Sequence, residues 1–452
     1  MAEQERFDAA VLGMGPGGEV AADRLLKAGK KVLVVEPELI GGECGYWACI
    51  PSKTLLRPVE LAWSTAETPG VTTSSVVWEE ARSWRDDMVR HHDDARQVQQ
   101  YEEQGATVVR GAARIAGPGR IDVQGREFTT DQIVVATGST ARVPDIEGLD
   151  QCTVWTNREA TNLREVPRRV VIIGAGPVAV ETSQYLRGLG AEVTILARGR
   201  RLLGREEPRV SELALEHLRA RGITVLLNTS AERAHRDGAD SMLVLPDGTA
   251  LAADAVVVAT GRQPRTQDLG LESLSVVLDK ETGAIEVDEH CAGGPGVWAV
   301  GDVTGIMEVT HVAKYQARVA VDTMLGRARS ANYDAIPRVV FGHPEVAAVG
   351  LTREQAAEKM QVVAAEVDLT AALARPWTHE QEPSGQALGV LADRDRGVLV
   401  GAWAVAPHAS EWIHQAALAI REQIPVERLL DQVAQFPTYS EGYLAALEDL
   451  EL

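Results

Sequence analysis

Apolar residues in this chain fall in short runs, divided by glycine turns and by stretches of helical period. The segment "FDAAVLGMGPGGEVAADRLLKAGKKVLVVEP" at 7–37 has a strand-like run, a glycine turn, a helix-period segment and a second apolar run. "RRVVIIGAGPVAVETSQYLRGLGAEVTILAR" at 168–198 repeats that order. Each is the pattern of a βαβ unit. Each half then reaches a related phrase, "IVVATGS" at 133–139 and "VVVATGR" at 256–262. Two copies of one nucleotide-binding plan imply two nucleotides.

Residues 150–167, with Pro167, read as a polar connector between the halves. "GVWAVGDVTG" at 296–305 predicts a short strand ending in a Gly-Asp turn. From about Ile336 the character changes. "IPRVVFGHPEVAAVGLTREQAAEKM" predicts a strand, a turn and a helix, followed by strands around 388–405 and helical patterns around 410–431. The expected fold class is α/β: two Rossmann-like nucleotide-binding domains and a C-terminal α+β domain. The expected boundaries are 1–149 for the first domain, 150–270 for the second, 271–335 for a return to the first, and 336–452 for the tail.

Composition narrows the function classes. A chain of 452 residues with 45% hydrophobic content can bury several cores. A formal net charge of −20 argues against a non-specific grip on nucleic acid or anionic lipid. The N-terminal segment lacks the pattern of a secretory signal, and no apolar window is long enough to span a membrane. With only four cysteines, the expected setting is reducing and cytoplasmic.

The first glycine motif reads Gly13-x-Gly15-x-x-Gly18, with Glu36 at the end of the second strand. The glycines allow a pyrophosphate to approach the backbone, and Glu36 is placed to accept hydrogen bonds from a ribose. The second reads Gly174-x-Gly176-x-x-Ala179, where a methyl group must hold helix and strand slightly further apart. In place of the ribose-binding acid stands Ala197, followed by Arg198, Arg200 and Arg201. A carboxylate repels a 2′-phosphate and guanidinium groups bind one, so NADPH is expected over NADH. The competing reading of these arginines is a solvated loop.

Cys44 and Cys49 lie in "GGECGYWACIPSK" at 41–53. A regular helix separates positions i and i+5 by about 7.5 Å along its axis, whereas a disulfide needs α-carbons roughly 4.4–6.8 Å apart. The pair can bridge only where the helix is irregular, and Gly45 and Pro51 permit that. Zinc ligation and inert burial are the alternatives. Cys152 and Cys291 stand alone, with no CxxC or HxxxH to supply a second ligand pair.

Taken together, "GMGPGG", "GGECGYWACIPSK", "ATGSTARVPDIEG", "GAGPVAVE", "ATGRQPR", "VWAVGDV", "THVAKYQARVA" and "PRVVFGHPEVAAVGLT" resemble the FAD-dependent pyridine nucleotide–disulfide oxidoreductases. That family includes dihydrolipoamide dehydrogenase, glutathione reductase and mercuric reductase, and the likeness covers essentially the whole chain. It implies that the first glycine motif and Asp302 hold FAD and that the second motif holds the nicotinamide nucleotide. Gly42, Thr137, Gly138, Gly261 and Ala313 fall in the same cofactor-binding phrases. It implies a redox disulfide between Cys44 and Cys49, with Cys49 on the flavin side, giving a charge-transfer complex, and Cys44 as the interchange thiol. Lys53 is then expected near the flavin, paired with Glu181. The resemblance further implies a homodimer whose C-terminal segment completes the partner's active site.

One position breaks the family pattern. The reductases carry His-Pro-Thr-x-Ser-Glu in the tail, where this chain reads Phe436-Pro437-Thr438-Tyr439-Ser440-Glu441. A phenyl ring cannot relay a proton, and losing a general acid–base typically costs about 10²–10⁴ in rate. Glu441 is expected to handle protons if buried and unpaired, or else His408, His414 or His311 swings in. 2-Ketopropyl-coenzyme M oxidoreductase/carboxylase also has phenylalanine here, but it lacks the glutamate and the Ser-Lys retained as Ser52 and Lys53. The leading expectation is therefore NAD(P)H-dependent reduction of an unidentified acceptor, a disulfide or other small molecule, through FAD and the dithiol. The alternatives are a quinone, metal or oxygen reductase that bypasses the dithiol, a thiolate carboxylase, and a non-catalytic flavin-binding or sensing subunit.

Overall fold

The computed structural model describes residues 5–327 and 329–452. It divides into two compact units. The first comprises Met1–Pro51, Trp84–Arg142 and Gly261–Asn332; the second comprises Ser52–Ser83, Val143–Thr260 and Tyr333–Leu452.

In the first unit, strand Arg6–Leu12 pairs in parallel with Val32–Glu36 on one side and Arg126–Val135 on the other. Helix Pro16–Lys27 makes the crossover between the first two strands. Alternate strand residues sort to opposite faces of the sheet. Ala9, Val11 and Val34 pack with Ala21, Ala22 and Leu25 on one face. Ala10, Leu12, Leu33 and Val35 pack with Ile115, Ile121 and Phe128 on the other. Both faces are covered, which is why these strands read as continuous apolar runs. The Val297–Ala299 strand extends the sheet beside Arg126–Val135 and leads into the turn at Asp302, as the pattern predicts.

The second unit repeats the plan. Strand Arg169–Ile173 pairs in parallel with Glu192–Ala197 and Ala255–Val258. The 150–167 stretch is more than a connector: Val154–Trp155 is the edge strand of this sheet. Helix Asn157–Thr161 follows, opened by a Thr156–Glu159 capping box. Strands this short carry too little periodicity to be read from sequence. Helix Cys49–Glu67 contributes Leu55, Leu56 and Val59 to the core of this unit.

The tail forms a five-stranded antiparallel sheet in the order Arg338–Val340, Glu345–Gly350, Val398–Ala406, Ala387–Asp393, Val362–Asp368. Two strands, not one, precede helix Arg353–Ala357. Helices His414–Arg421 and Gly442–Glu448 pack on this sheet through Ala416, Ile420, Tyr443 and Leu447. Among the described residues no helix is long and apolar enough to cross a membrane.

Candidate active site

The glycine turns of the two βαβ units have the same local construction. Gly13 has φ +94°, and a Cβ there would lie 2.4 Å from the carbonyl oxygen of Ala136. Gly174 has φ +143°, and a Cβ there would lie 2.2 Å from the carbonyl oxygen of Ala259. Ala136 and Ala259 belong to the two related phrases, so each phrase supplies the carbonyl that closes on its own glycine. Helices Pro16–Lys27 and Pro177–Gly188 are capped by Gly15 and Gly176, neither of which offers a side-chain cap. Their first N–H groups remain available to an anion. A Cβ on Gly15 or Gly176 would meet no atom within 4 Å, so open space lies at both turns. The residues fit a pyrophosphate. A Cβ on Gly18 would strike the Gly13 carbonyl, whereas Ala179 is accommodated and fully buried.

Glu36 is 6% exposed. Its Oε2 accepts the Met14 N–H at 2.7 Å and its Oε1 accepts the Glu38 N–H at 2.8 Å. Burial pushes its pKa up, against the lowering effect of these two bonds. The carboxylate is held in one orientation with lone pairs left for ribose hydroxyls. In the second unit, Ala197 is buried, Arg198 and Arg200 are exposed and Arg201 is half-buried. Among the described residues no carboxylate pairs with Arg198 or Arg200.

Asp302 accepts the Ser139 hydroxyl at 2.5 Å, and Arg262 Nε lies 3.8 Å from it. Arg262 also donates to the Ser139 hydroxyl at 2.6 Å and stands 3.6 Å from Glu43, which meets Arg265 at 3.3 Å. The Thr137 hydroxyl and the Gly138 carbonyl both bond the Arg265 backbone, and the Gly261 carbonyl accepts from Arg142 N–H. Ala313 is buried on helix Thr310–Met324. Gly42 opens the short helix carrying Cys44, where a Cβ would lie 2.8 Å from Gly15 Cα. Sequence reasoning singled out Asp302 and Gly261 but missed Ser139, Arg262, Arg265 and Glu43. The signal was present in part: Arg262 ends "VVVATGR" and Glu43 precedes Cys44.

Cys44 lies in helix Gly42–Tyr46 and Cys49 opens helix Cys49–Glu67; Trp47 and Ala48 interrupt the two. The irregularity that a bridge requires is therefore located between the cysteines. Both are half-buried, unbridged thiols. Cys49 Sγ lies 3.5 Å from the Thr310 hydroxyl. The Cys44 thiol is pushed up, first by its hydrogen bond with Cys49 and then by burial, while Thr310 and Lys314 act in the opposite sense. Loss of the Cys44 proton is therefore the harder step while Cys49 stands beside it.

Lys53 Nζ and Glu181 Oε2 are 2.6 Å apart in the second unit. In the tail, Phe436 is 72% exposed. Glu441 Oε2 is buried and has no hydrogen-bond partner. Among the described residues no hydrogen bond joins Glu441 to a histidine. His408 instead meets His379 edge-on with ring centroids 5.7 Å apart, His414 begins helix His414–Arg421, and His311 lies on helix Thr310–Met324 of the first unit.

Residues 7–317 match the pyridine nucleotide-disulphide oxidoreductase family, and residues 336–447 match that family's dimerisation domain. The chain is 32% identical to a mercuric reductase from Staphylococcus aureus, over 98% of this chain and 82% of that one. It is 31% identical to a dihydrolipoyl dehydrogenase from Synechocystis sp., over 98% of each chain. Among solved structures it is similar to the Cu(II) complex of the HOCl-induced flavoprotein disulfide reductase RclA from Escherichia coli, with TM-score 0.86 and 26% identity over 98% of this chain and 99% of that one.

Proposed function

The chain belongs to the pyridine nucleotide-disulphide oxidoreductase family, and we propose that it is an NADPH-dependent flavoenzyme delivering an electron pair to Cys44 and Cys49 and from them to a small acceptor. The cysteine pair carries this reading: two hydrogen-bonded thiols at an interrupted helix start, with the Thr310 hydroxyl 3.5 Å from Cys49 Sγ. FAD, held by Gly13, Gly15, Gly18, Glu36 and Asp302, supplies the two-electron relay between nicotinamide and sulfur.

The chain's own residues manage the protons. Cys49, at a helix N-terminus and beside a hydroxyl, is the sulfur favoured as thiolate. Cys44 keeps the shared proton and becomes the attacking nucleophile when it leaves. Arg198 and Arg200 favour NADPH by binding its 2′-phosphate. We assign Phe436 and Glu441 to the partner's active site in the homodimer that the dimerisation domain supports. There Phe436 excludes water, and Glu441 presents a carboxylate oxygen, Oε2, that has no hydrogen-bond partner in its own chain.

Phe436 also favours a second reading of the acceptor. Reduction of a thiophilic metal ion by a dithiol requires no proton delivered to the acceptor, so a missing histidine costs such a reaction little. The mercuric reductases among the relatives support this choice.

Anaerobic titration with NADPH, and separately with NADH, followed by visible absorbance tests the proposal. A long-wavelength band that appears at lower NADPH than NADH is the expected result. Loss of flavin absorbance without that band, or unchanged turnover of every acceptor by Cys44→Ser, would remove the dithiol from the mechanism.

A further inference from the structure

Within the second unit, away from both glycine turns in sequence, Glu67, His343 and Glu380 converge on an open cleft of about 320 Å³. One ligand atom from each lies within 4.8 Å of the other two. His343 Nε2 is 2.7 Å from Glu67 Oε2, and Arg221 occupies the other oxygen of Glu67. Those three groups make a complete ion-pair network. Glu380 does not fit it. No cation forms an ion pair with Glu380 among the described residues; only the Gln386 amide reaches it, donating to both carboxylate oxygens at 3.1 Å. Gln386 is 3% exposed, lines the same cleft, and its Oε1 accepts no hydrogen bond. A half-buried cleft therefore holds two facing carboxylates, one pairing guanidinium and an unsatisfied buried amide oxygen.

We propose that Glu67, His343 and Glu380 bind one divalent first-row transition ion of the zinc class. An imidazole nitrogen with two carboxylate oxygens suits such an ion, and softer ligands are absent from the group. Metal–ligand bonds of about 2.0–2.2 Å place tetrahedral ligands roughly 3.4 Å apart. The side chains need to adjust by about 1 Å, with His343 and Glu67 opening and Glu380 closing. The ion takes the place of the proton shared by His343 and Glu67, water in the cleft fills the remaining position, and the Gln386 amide orients Glu380 from behind.

The test titrates the full FAD-loaded chain with Zn²⁺ by calorimetry and with Co²⁺ by visible absorbance. It is run on wild type and on a Cys44→Ser/Cys49→Ser variant, so that thiols are not mistaken for this site. The expected result is one ion per chain in the variant, with no thiolate charge-transfer band from Co²⁺. Glu380→Gln, which removes an unpaired charge, should weaken binding by about 100-fold or more, and Gln386→Ala by about 10–100-fold. His343→Gln should abolish it. Loss of binding in the cysteine variant, or affinity unchanged in Glu380→Gln, would overturn the proposal and leave the cluster as an ion-pair network alone.

Discussion

Lys53 Nζ lies 2.6 Å from Glu181 Oε2, and both residues also engage Phe341. Its backbone N–H donates to Glu181 Oε1 at 3.1 Å, and Lys53 Nζ stands 4.7 Å over its ring. The Glu181 side chain is only 9% exposed, whereas Lys53 is 33% exposed. Removing the lysine leaves a nearly buried carboxylate without its cation, while water replaces part of the lost interaction. Lys53→Met should therefore destabilise by about 1–3 kcal/mol, read as a lower unfolding midpoint. If the pair serves hydride transfer as well as stability, stopped-flow reduction by NADPH should slow by at least tenfold. A lower midpoint with an unchanged reduction rate would make the pair structural only.

How much of this was legible before folding depended on sequence separation. The repeated βαβ pattern announced both nucleotide folds, because glycine spacing and apolar runs are local. The reason for the repeated "ATG" phrases became visible only when the Ala136 and Ala259 carbonyls met Gly13 and Gly174. The Ser139–Asp302 bond joins residues far apart in the chain, as do Glu67 and His343. No periodicity records such pairs. The Lys53–Glu181 pair was equally remote, and resemblance alone suggested it.

Arg198 and Arg200 supply a prediction of cofactor choice. Both are exposed beside buried Ala197, where an acid would otherwise bind a ribose. A charge-assisted hydrogen bond contributes about 1.5–3 kcal/mol. Arg198→Ala/Arg200→Ala should raise KM for NADPH by at least tenfold and leave KM for NADH nearly unchanged. Equal effects on both cofactors would show that the arginines do not read a 2′-phosphate.

Asp254 ties the second sheet together and makes its stability depend on pH. Its carboxylate accepts the Arg168 and Arg169 N–H groups, each at 2.9 Å, and the Arg169 guanidinium at 2.9 Å. Burial acts to raise its pKa, but Arg169 outweighs that and holds the carboxyl below its ordinary 3.8. A lowered acid pKa means stability that is present above the ordinary value and lost as pH falls through the folded one. The unfolding midpoint of wild type should drop as pH falls from about 5 toward 3. Asp254→Asn should start lower at neutral pH and show a shallower acid decline. Parallel profiles would assign the acid sensitivity elsewhere.

Phe436→His separates the two acceptor classes. At 72% exposure the ring fills no core position within its own chain, so the substitution should leave the fold of that chain intact. Glu441, the acid of the same tail segment, has an Oε2 without a hydrogen-bond partner. If the natural acceptor is a disulfide and the phenylalanine merely slows proton delivery, the variant should gain about 10²–10⁴ in disulfide turnover. The gain should follow an ionisation near neutral pH, where an imidazole changes charge. If the acceptor is a thiophilic metal ion, turnover of that ion should stay flat or fall, because the reaction has no use for a proton donor and an imidazole competes for the metal. Measuring both activities in one variant, with the NADPH reduction rate as the internal reference, decides which acceptor this tail is built for.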